Sequence, residues 1–149
     1  FEKCTRHLRR YGVNFVFGDY QTYLRKDRAL DAFVVDSIGE LLEFYSISDI
    51  AFVGGSLVPR GGQNLLEPIS VGVPVITGTS LYNFQEIADA LVSLGIIASV
   101  SDAPRLTNEI LDLLQDEEKR KNRSARGREW LISKQGATQR TVDGLRLFL

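Results

Sequence analysis

Short apolar runs alternate with amphipathic stretches along the first 100 residues of the chain. Each run is four or five residues long and is bounded by glycine, proline or polar residues, a pattern typical of buried strands. The predicted strands are residues 13–17, 32–35, 50–53, 73–76 and 96–100. Predicted helices begin at Glu2, Ser37, Asn64 and Asn83, and they end at or just before Gly12, Ser46, Gly72 and Gly95. Strands alternating with helices of this length indicate parallel βαβ units, so we predict a layered α/β domain.

Two parts of the chain depart from this alternation. Residues 20–31 are polar and show no periodicity, so we predict a loop there. After Val100 only helical patterns remain, first over residues 104–114 and then in a charged stretch, 117–129. A last helix is predicted after Gly136, with the apolar positions Val142, Leu145 and Phe148.

The composition restricts the classes of function. The chain has 149 residues, of which 44% are hydrophobic and 25% charged, the balance of one soluble globular domain. A net charge of -1 argues against a dedicated nucleic-acid-binding protein. One cysteine (Cys4) and one histidine (His7) rule out an internal disulfide, a His-based catalytic triad and a His/Cys metal cluster, so we predict no metal and no cofactor.

The ends of the chain and its hydropathy give two further expectations. No apolar run approaches about 18 residues, so no membrane-spanning helix is predicted. The chain opens on Phe1 and contains no Met, so we interpret it as a fragment of a longer protein.

Three strand-to-helix junctions share one polar pattern, in which Ser or Asn is followed three residues later by Glu. They are Ser37 to Glu40, Asn64 to Glu67 and Asn83 to Glu86. Each is a capping box, and any one alone is more often only a cap, which is our interpretation of Glu40. In a parallel sheet such helices begin at the carboxyl edge, where ligands bind. Their free N–H groups and positive dipole ends favour anions there.

The second junction is distinguished by glycine pairs. Gly54 and Gly55 end a strand, and Gly61 and Gly62 precede the helix that begins at Asn64. Glycine lets a backbone approach a ligand closely or adopt positive φ. Two roles remain open for Glu67, capping its own helix or accepting hydrogen bonds from ribose hydroxyls. Arg60 is either a clamp for phosphate or carboxylate or a solvated loop charge. There is no G-x-G-x-x-G fingerprint, which weakens a dinucleotide interpretation.

Four ordered motifs resemble the Kdo (3-deoxy-D-manno-octulosonic acid) transferases of lipopolysaccharide synthesis. The motifs are DSIGEL at 36–41, AFVGGSL at 51–57, GGQNLLEP at 61–68 and Asn83-Phe84. The resemblance runs from about Gly18 to the end of the chain and includes Gly136, Ala137 and Arg140. It implies the carboxyl-terminal half of a GT-B glycosyltransferase, with a Rossmann-like parallel sheet and flanking helices. Residues 1–149 would then form one nucleotide-sugar-binding domain, truncated at its amino end, without the amino-terminal acceptor domain.

The resemblance also implies an activity. In such enzymes Kdo passes from CMP-Kdo to a lipid A precursor, with inversion and without a metal, at the cytoplasmic face of the inner membrane of Gram-negative bacteria. The general base belongs to the missing domain, so no catalytic residue is expected in this chain, and the soluble fragment alone is expected to be inactive. The implied partners are CMP-Kdo, the lipid A precursor through the missing domain, and a membrane surface through the full-length protein. Nucleic acid is not among them.

By the same resemblance, twelve residues would bind the donor. They are Ser37, Gly39, Gly54, Gly55, Ser56, Arg60, Gly62, Gln63, Asn64, Glu67, Asn83 and Phe84. Asn64 and Glu67 would take the nucleotide, and Ser37 and Gly39 would present a helix N-terminus to its phosphate. Two departures from the family pattern stand out. Gln63 replaces a histidine, and Thr79-Ser80 replaces Pro-His.

Two other functions compete with this one. The chain is alternatively the donor-binding domain of a GT-B transferase that uses a uridine nucleotide, or a non-catalytic α/β interaction module. The preference for cytosine or uracil distinguishes the first alternative from a Kdo transferase, because cytosine has a hydrogen-bond donor where uracil has an acceptor. The second predicts no nucleotide binding. In the GT-B fold the first strand is central, so a chain that opens inside the following helix is expected to leave a sheet edge open, either for an upstream segment or for a second copy.

Overall fold

The structure is a computed structural model that describes residues 2–25 and 29–136. The chain divides into two compact units, residues 1–44 and 45–149. The predicted helix with Val142, Leu145 and Phe148 lies outside the described residues. Within the described ranges, no helix is both long and apolar enough to cross a membrane.

The first unit is built on two parallel strands. Its elements are α1 (Glu2–Arg10), β1 (Phe15–Gly18), α2 (Tyr20–Leu24) and β2 (Ala32–Val35), and α3 (Leu41–Ser46) begins in it. The strands pair in register from Phe15 opposite Ala32 to Gly18 opposite Val35. This parallel pairing agrees with the βαβ prediction.

The prediction of a loop over residues 20–31 is wrong at its start, where α2 forms. Asp19 caps this helix by accepting a hydrogen bond from the backbone N–H of Thr22 at 2.7 Å. Hydrogen bonds from the side chain and then the backbone of Thr22 hold the pKa of Asp19 below its ordinary value. The ring of Tyr23 packs edge-on against Phe33 and Phe44, with centroids 5.4 and 5.7 Å away. The helix is stabilised by aromatic contacts with distant residues, which local periodicity does not reveal.

The second unit contains a three-stranded parallel sheet in the order β3-β4-β5. Its elements are β3 (Ala51–Val53), α4 (Leu66–Ser70), β4 (Val75–Thr77), α5 (Gln85–Ser93), β5 (Ile97–Ser99), α6 (Ala103–Gln115) and α7 (Glu117–Ser133). One face of the sheet packs on a core that includes Leu65, Ile69, Leu91 and Ile96, and the other face packs through Ile76 on Val100 and Leu113. All five predicted strands are therefore present, and their bounds agree with the prediction to within two residues.

Three arginines of α7 hold the carboxyl-terminal ends of the helices beside it. Arg128 donates to the carbonyl of Val71, the residue that ends α4, at 2.6 Å. Arg126 donates to the carbonyl that ends α5, and Arg120 donates to two carbonyls in the last turn of α6. The last carbonyls of a helix have no partner inside it, and the negative end of its dipole attracts a cation. This set of contacts, the α7 arginine contacts, explains why α7 is rich in charge yet packs against α4 and α6.

Replacing Arg126 and Arg128 together by alanine is expected to lower the free energy of unfolding by about 2 kcal/mol, about 1 kcal/mol for each lost helix-end contact. Alanine is a good helix former, so α7 itself is not weakened. Urea unfolding followed by circular dichroism measures the change. The matched control is Arg105→Ala, since the Arg105 side chain makes, among the described residues, one exposed ion pair with Asp102 and no helix-end contact. Equal stability of the double variant and the control would contradict the assigned role.

Candidate functional site

The candidate site lies at the carboxyl ends of β3 and β4, where two loops are held together by Ser56. The Ser56 side chain is fully buried. Its Oγ donates to the carbonyl of Val53 at 2.6 Å and accepts the backbone N–H of Gly78 at 2.7 Å. The backbone N–H of Ser80 in turn donates to the Ser56 carbonyl at 2.8 Å. The hydroxyl of Ser56 therefore joins the loop after β3 to the loop after β4. We call the surface formed by residues 54–67 and 78–84 the rim.

Gly78 allows the two loops of the rim to touch. A Cβ at this position would lie 2.2 Å from both the carbonyl carbon and the carbonyl oxygen of Ser56. Such a distance is far inside van der Waals contact, and the opposing atoms are backbone. No side chain fits here without separating the loops.

Three of the four glycines in the predicted pairs are required by the path of the chain. Gly55, Gly61 and Gly62 have φ of 73°, 84° and 70°, a region that favours glycine. A Cβ on Gly61 would also lie 2.5 Å from Nδ2 of Asn83. Gly54 differs, because its φ is not positive and no described atom lies within 4 Å of a Cβ built on it. At Gly54, therefore, the absence of a side chain leaves open space above the loop.

Asn64 and Glu67 form a hydrogen-bonded pair on the rim. Asn64 Nδ2 donates to Oε1 of Glu67 at 2.9 Å, and Asn64 Oδ1 accepts the backbone N–H of Leu66 at 2.9 Å. The pair lies beside the start of α4, which begins at Leu66, two residues later than predicted, and the Glu67 side chain is half-buried. Among the described residues the Glu67 carboxylate makes no other hydrogen bond, so Oε2 can accept a further one. Pro68 is tolerated because it lies in the first turn, where its missing N–H has no helical partner.

Tyr45 was not among the residues that the sequence pointed to. Burial, together with the nearby charge of Glu67, raises the pKa of the Tyr45 phenol. The phenol therefore stays protonated and neutral beside the carboxylate. Tyr45 belongs to α3 and Glu67 to α4, so no local spacing relates them, and only the folded chain brings them together.

The third capping box does not cap its helix. α5 begins at Gln85, and Nδ2 of Asn83 lies 3.4 Å from the carbonyl of Arg60, in the loop before α4. Phe84 is half-buried and packs against the core. The Arg60 and Gln63 side chains are both exposed, and within the described residues the Arg60 guanidinium makes no hydrogen bond or ion pair. The rim thus contains ten of the twelve predicted donor-binding positions, all except Ser37 and Gly39: Gly54, Gly55, Ser56, Arg60, Gly62, Gln63, Asn64, Glu67, Asn83 and Phe84.

The first capping box requires a correction, because the helix predicted to begin at Ser37 begins at Leu41. Gly39 has φ of 93°, which is incompatible with a helix. The carboxylate of Glu40 accepts the hydroxyl of Ser37 and, at 3.0 Å, the backbone N–H of Tyr20, so it stabilises the first unit internally. Ser37 and Gly39 therefore lie in a bend ahead of the helix, and they belong to the first compact unit.

A comparison of the sequence with models of known protein families shows which family contains this rim. The family model described as Glycosyl transferases group 1 matches residues 30–130. The chain belongs to this glycosyl transferase family. The matched range contains both loops of the rim. The resemblance stated from the sequence motifs is confirmed at this level, and the residues of the rim are those of a glycosyl transferase domain.

Individual relatives agree with this assignment. The chain is 46% identical over 115 residues to the 3-deoxy-D-manno-octulosonic acid transferase of Haemophilus influenzae, an alignment that covers 76% of the chain and 27% of that enzyme. It is 36% identical over 116 residues to the enzyme of the same name from Bordetella pertussis, covering 78% of the chain and 27% of the enzyme. The chain thus spans about a quarter of the length of these glycosyl transferases.

A solved structure shows the same fold. It is the C-terminal CMP-Kdo binding domain of WaaA from Acinetobacter baumannii, with a TM-score of 0.79 and 26% identity over 87% of this chain and 67% of that chain. The predicted fold class, the carboxyl-terminal half of a GT-B glycosyl transferase, is therefore confirmed.

Proposed function

We propose that the chain is the donor-binding half of a Kdo transferase and that its rim binds CMP-Kdo. The observation that carries the proposal is the structural match to a domain that binds CMP-Kdo, joined to sequence identity of 46% with an enzyme of that activity. The rim supplies the required groups, which are open backbone at Gly54, a carboxylate at Glu67 and a guanidinium at Arg60. Residues 1–149 would act as one domain beside an acceptor-binding domain.

Each group has a place in the proposed mechanism. Oε2 of Glu67 accepts a hydrogen bond from a ribose hydroxyl, while Asn64 holds the other carboxylate oxygen in position. The guanidinium of Arg60 contacts the phosphate or the Kdo carboxylate. The Ser56 hydroxyl is already bonded at both its donor and its acceptor positions, so its contribution is to shape the loop. Gln63, Asn83 and Phe84 border the sugar. Ser37, Gly39, Gly55 and Gly62 complete the proposed set.

The chemistry proposed for this half is stabilisation of the leaving group. When the glycosidic bond of CMP-Kdo breaks, negative charge develops on the phosphate of CMP. Fixed donors that already face this phosphate stabilise the charge without reorganising. The general base that activates the acceptor, a lipid A precursor, would belong to the rest of the protein. Inversion, independence from metals and a location at the inner membrane surface are part of the same proposal.

Isothermal titration with CMP and UMP tests the proposal on the intact chain. CMP is expected to bind at least about tenfold more tightly than UMP, because a site that hydrogen-bonds cytosine leaves polar groups unpaired against uracil. Gly54→Val is expected to weaken CMP binding by at least about tenfold, since its side chain would fill the open space above the loop. Thermal unfolding provides the control, because a Cβ at Gly54 meets no described atom within 4 Å and the fold is therefore expected to be kept.

Two results would decide against the proposal. Tighter binding of UMP would assign the rim to a transferase that uses uridine nucleotides. No binding of either nucleotide to a chain shown by circular dichroism to be folded would favour the non-catalytic interaction module.

A further inference from the structure

Helix α1 (Glu2–Arg10) carries a row of exposed cations. Lys3, Arg6 and Arg10 are spaced by three and four residues, so they lie on one face of the helix. All three are exposed, and α1 contains no buried residue. Its one carboxylate is Glu2, in the first turn. We call Lys3, Arg6 and Arg10 the basic stripe.

The side chains of the basic stripe differ from several arginines of α7 in that they make no ion pair or helix-end contact with the described residues. In α7, Arg126 and Arg128 bind helix-end carbonyls, and Arg123 pairs with Glu109 at 2.7 Å. Within residues 2–25 and 29–136, none of the ion pairs includes a member of the stripe. Among the described residues these three charges therefore have no ion-pair partner, and their exposure lets them face an external anion.

An exposed aromatic ring adjoins the stripe. Tyr11 follows α1 directly and is 74% exposed. The Arg10 guanidinium lies over its ring, 5.9 Å from the centroid. Tyrosine has an apolar body and a polar tip, and it is enriched where protein meets the boundary between lipid and water. Cations beside an aromatic residue on a helix surface match the charge and polarity of anionic lipid headgroups.

The alternative of a nucleic-acid surface is less favourable. The stripe extends over eight residues of helix, about 12 Å at 1.5 Å per residue, so it reaches few phosphates. The whole chain carries a net charge of -1, which opposes the approach of a long polyanion.

We propose that the basic stripe is a contact surface for anionic lipid headgroups at a bilayer. The inference rests on the proposed function in one respect, since an enzyme whose acceptor is a lipid must work at a bilayer surface. Each cation near an anionic surface strengthens binding roughly fivefold, so the stripe gives weak and reversible attachment that adds to other contacts of the protein.

Co-sedimentation with vesicles tests the inference. The intact chain is mixed with vesicles of phosphatidylcholine, or of phosphatidylcholine with phosphatidylglycerol. The chain is expected to sediment with the anionic vesicles and to be released by high salt. The triple variant Lys3→Gln, Arg6→Gln, Arg10→Gln is expected to lose about a hundredfold in binding, down to the level of phosphatidylcholine. The matched control removes the same charge elsewhere, through Arg105→Gln, Lys121→Gln and Lys134→Gln, and is expected to bind nearly as the unmodified chain does.

The outcomes separate the inference from the proposed function. The inference would be overturned if the triple variant bound to anionic vesicles as tightly as the unmodified chain does. So would equal losses in the triple variant and the control, which would indicate a general charge effect. Tighter binding to single-stranded RNA than to vesicles would assign the stripe to nucleic acid, and displacement by inorganic phosphate at low concentration would assign it to a soluble anion. Titration of the triple variant with CMP reports on the rim alone.

Discussion

The Gly78→Ala variant is expected to lose about 3–5 kcal/mol of folding free energy, a large fraction of the stability of a domain this size. The added methyl group would lie 2.2 Å from two backbone atoms of Ser56, so the loops after β3 and β4 must separate. Separation breaks the hydrogen bond from the Gly78 N–H to Oγ of Ser56 and leaves a buried hydroxyl without its donor. It also breaks the bond from the Ser80 N–H to the Ser56 carbonyl. Urea unfolding followed by far-ultraviolet circular dichroism gives the change directly.

The matched control for this experiment is Gly54→Ala. Gly54 lies on the same rim, but a Cβ there meets no described atom within 4 Å and φ is not positive. Its stability is expected to stay within about 1 kcal/mol of the unmodified chain, with a slight gain from the reduced freedom of the unfolded chain. A Gly78→Ala variant as stable as Gly54→Ala would show that the two loops are not in contact.

The Glu67→Gln variant is expected to bind CMP about tenfold less tightly, and Glu67→Ala about 10- to 100-fold less tightly. Glutamine keeps an oxygen that can accept from Nδ2 of Asn64, so the fold of the rim is preserved. It removes the charge that strengthens hydrogen bonds to ribose hydroxyls. Calorimetric titration with CMP measures the loss, and the free energy of unfolding is expected to change by less than about 1 kcal/mol for glutamine.

A control variant and a control ligand make this test specific. Glu86 stands three residues after Asn83, as Glu67 stands after Asn64, and Glu86→Gln is expected to leave CMP affinity unchanged. CMP that lacks both ribose hydroxyls is expected to bind the unmodified chain weakly and to be insensitive to Glu67→Gln. If instead both ligands lose affinity equally in this variant, Glu67 acts on the fold of the rim rather than on the ribose.

The strands could be predicted from local pattern, but the roles of the capping-box residues could not. Five short apolar runs predicted five strands because a buried parallel strand must be apolar on both faces. A capping box, however, is one of several uses of a polar side chain. Glu40 instead accepts the N–H of Tyr20, and Asn83 contacts the Arg60 carbonyl. Both partners are distant in sequence, so the competition between them and a helix cap is settled only in the folded chain.

The glycines of the rim show a second limit of prediction from the sequence. The pairs at 54–55 and 61–62 were predicted to let the backbone approach a ligand. The structure separates two reasons for glycine, since Gly55, Gly61 and Gly62 have positive φ and Gly54 faces open space. Both requirements select the same amino acid, so the sequence cannot distinguish them. Gly78 was outside the predicted set, because its reason is contact with the backbone of Ser56, 22 residues earlier.

The α7 arginine contacts determine where this domain can be cut. The last strand of the described sheet ends at Ser99, yet the carbonyls that end α4, α5 and α6 find their cationic partners between Arg120 and Arg128. A shortened version that stops after the sheet would leave the ends of α4 and α5 without these partners, and one that stops after α6 would leave all three helix ends without them. Two of those helices, α4 and α5, start at the rim. The smallest version suitable for ligand screening or for spectroscopy therefore has to extend past Arg128, and its boundary is set by helix ends rather than by strands.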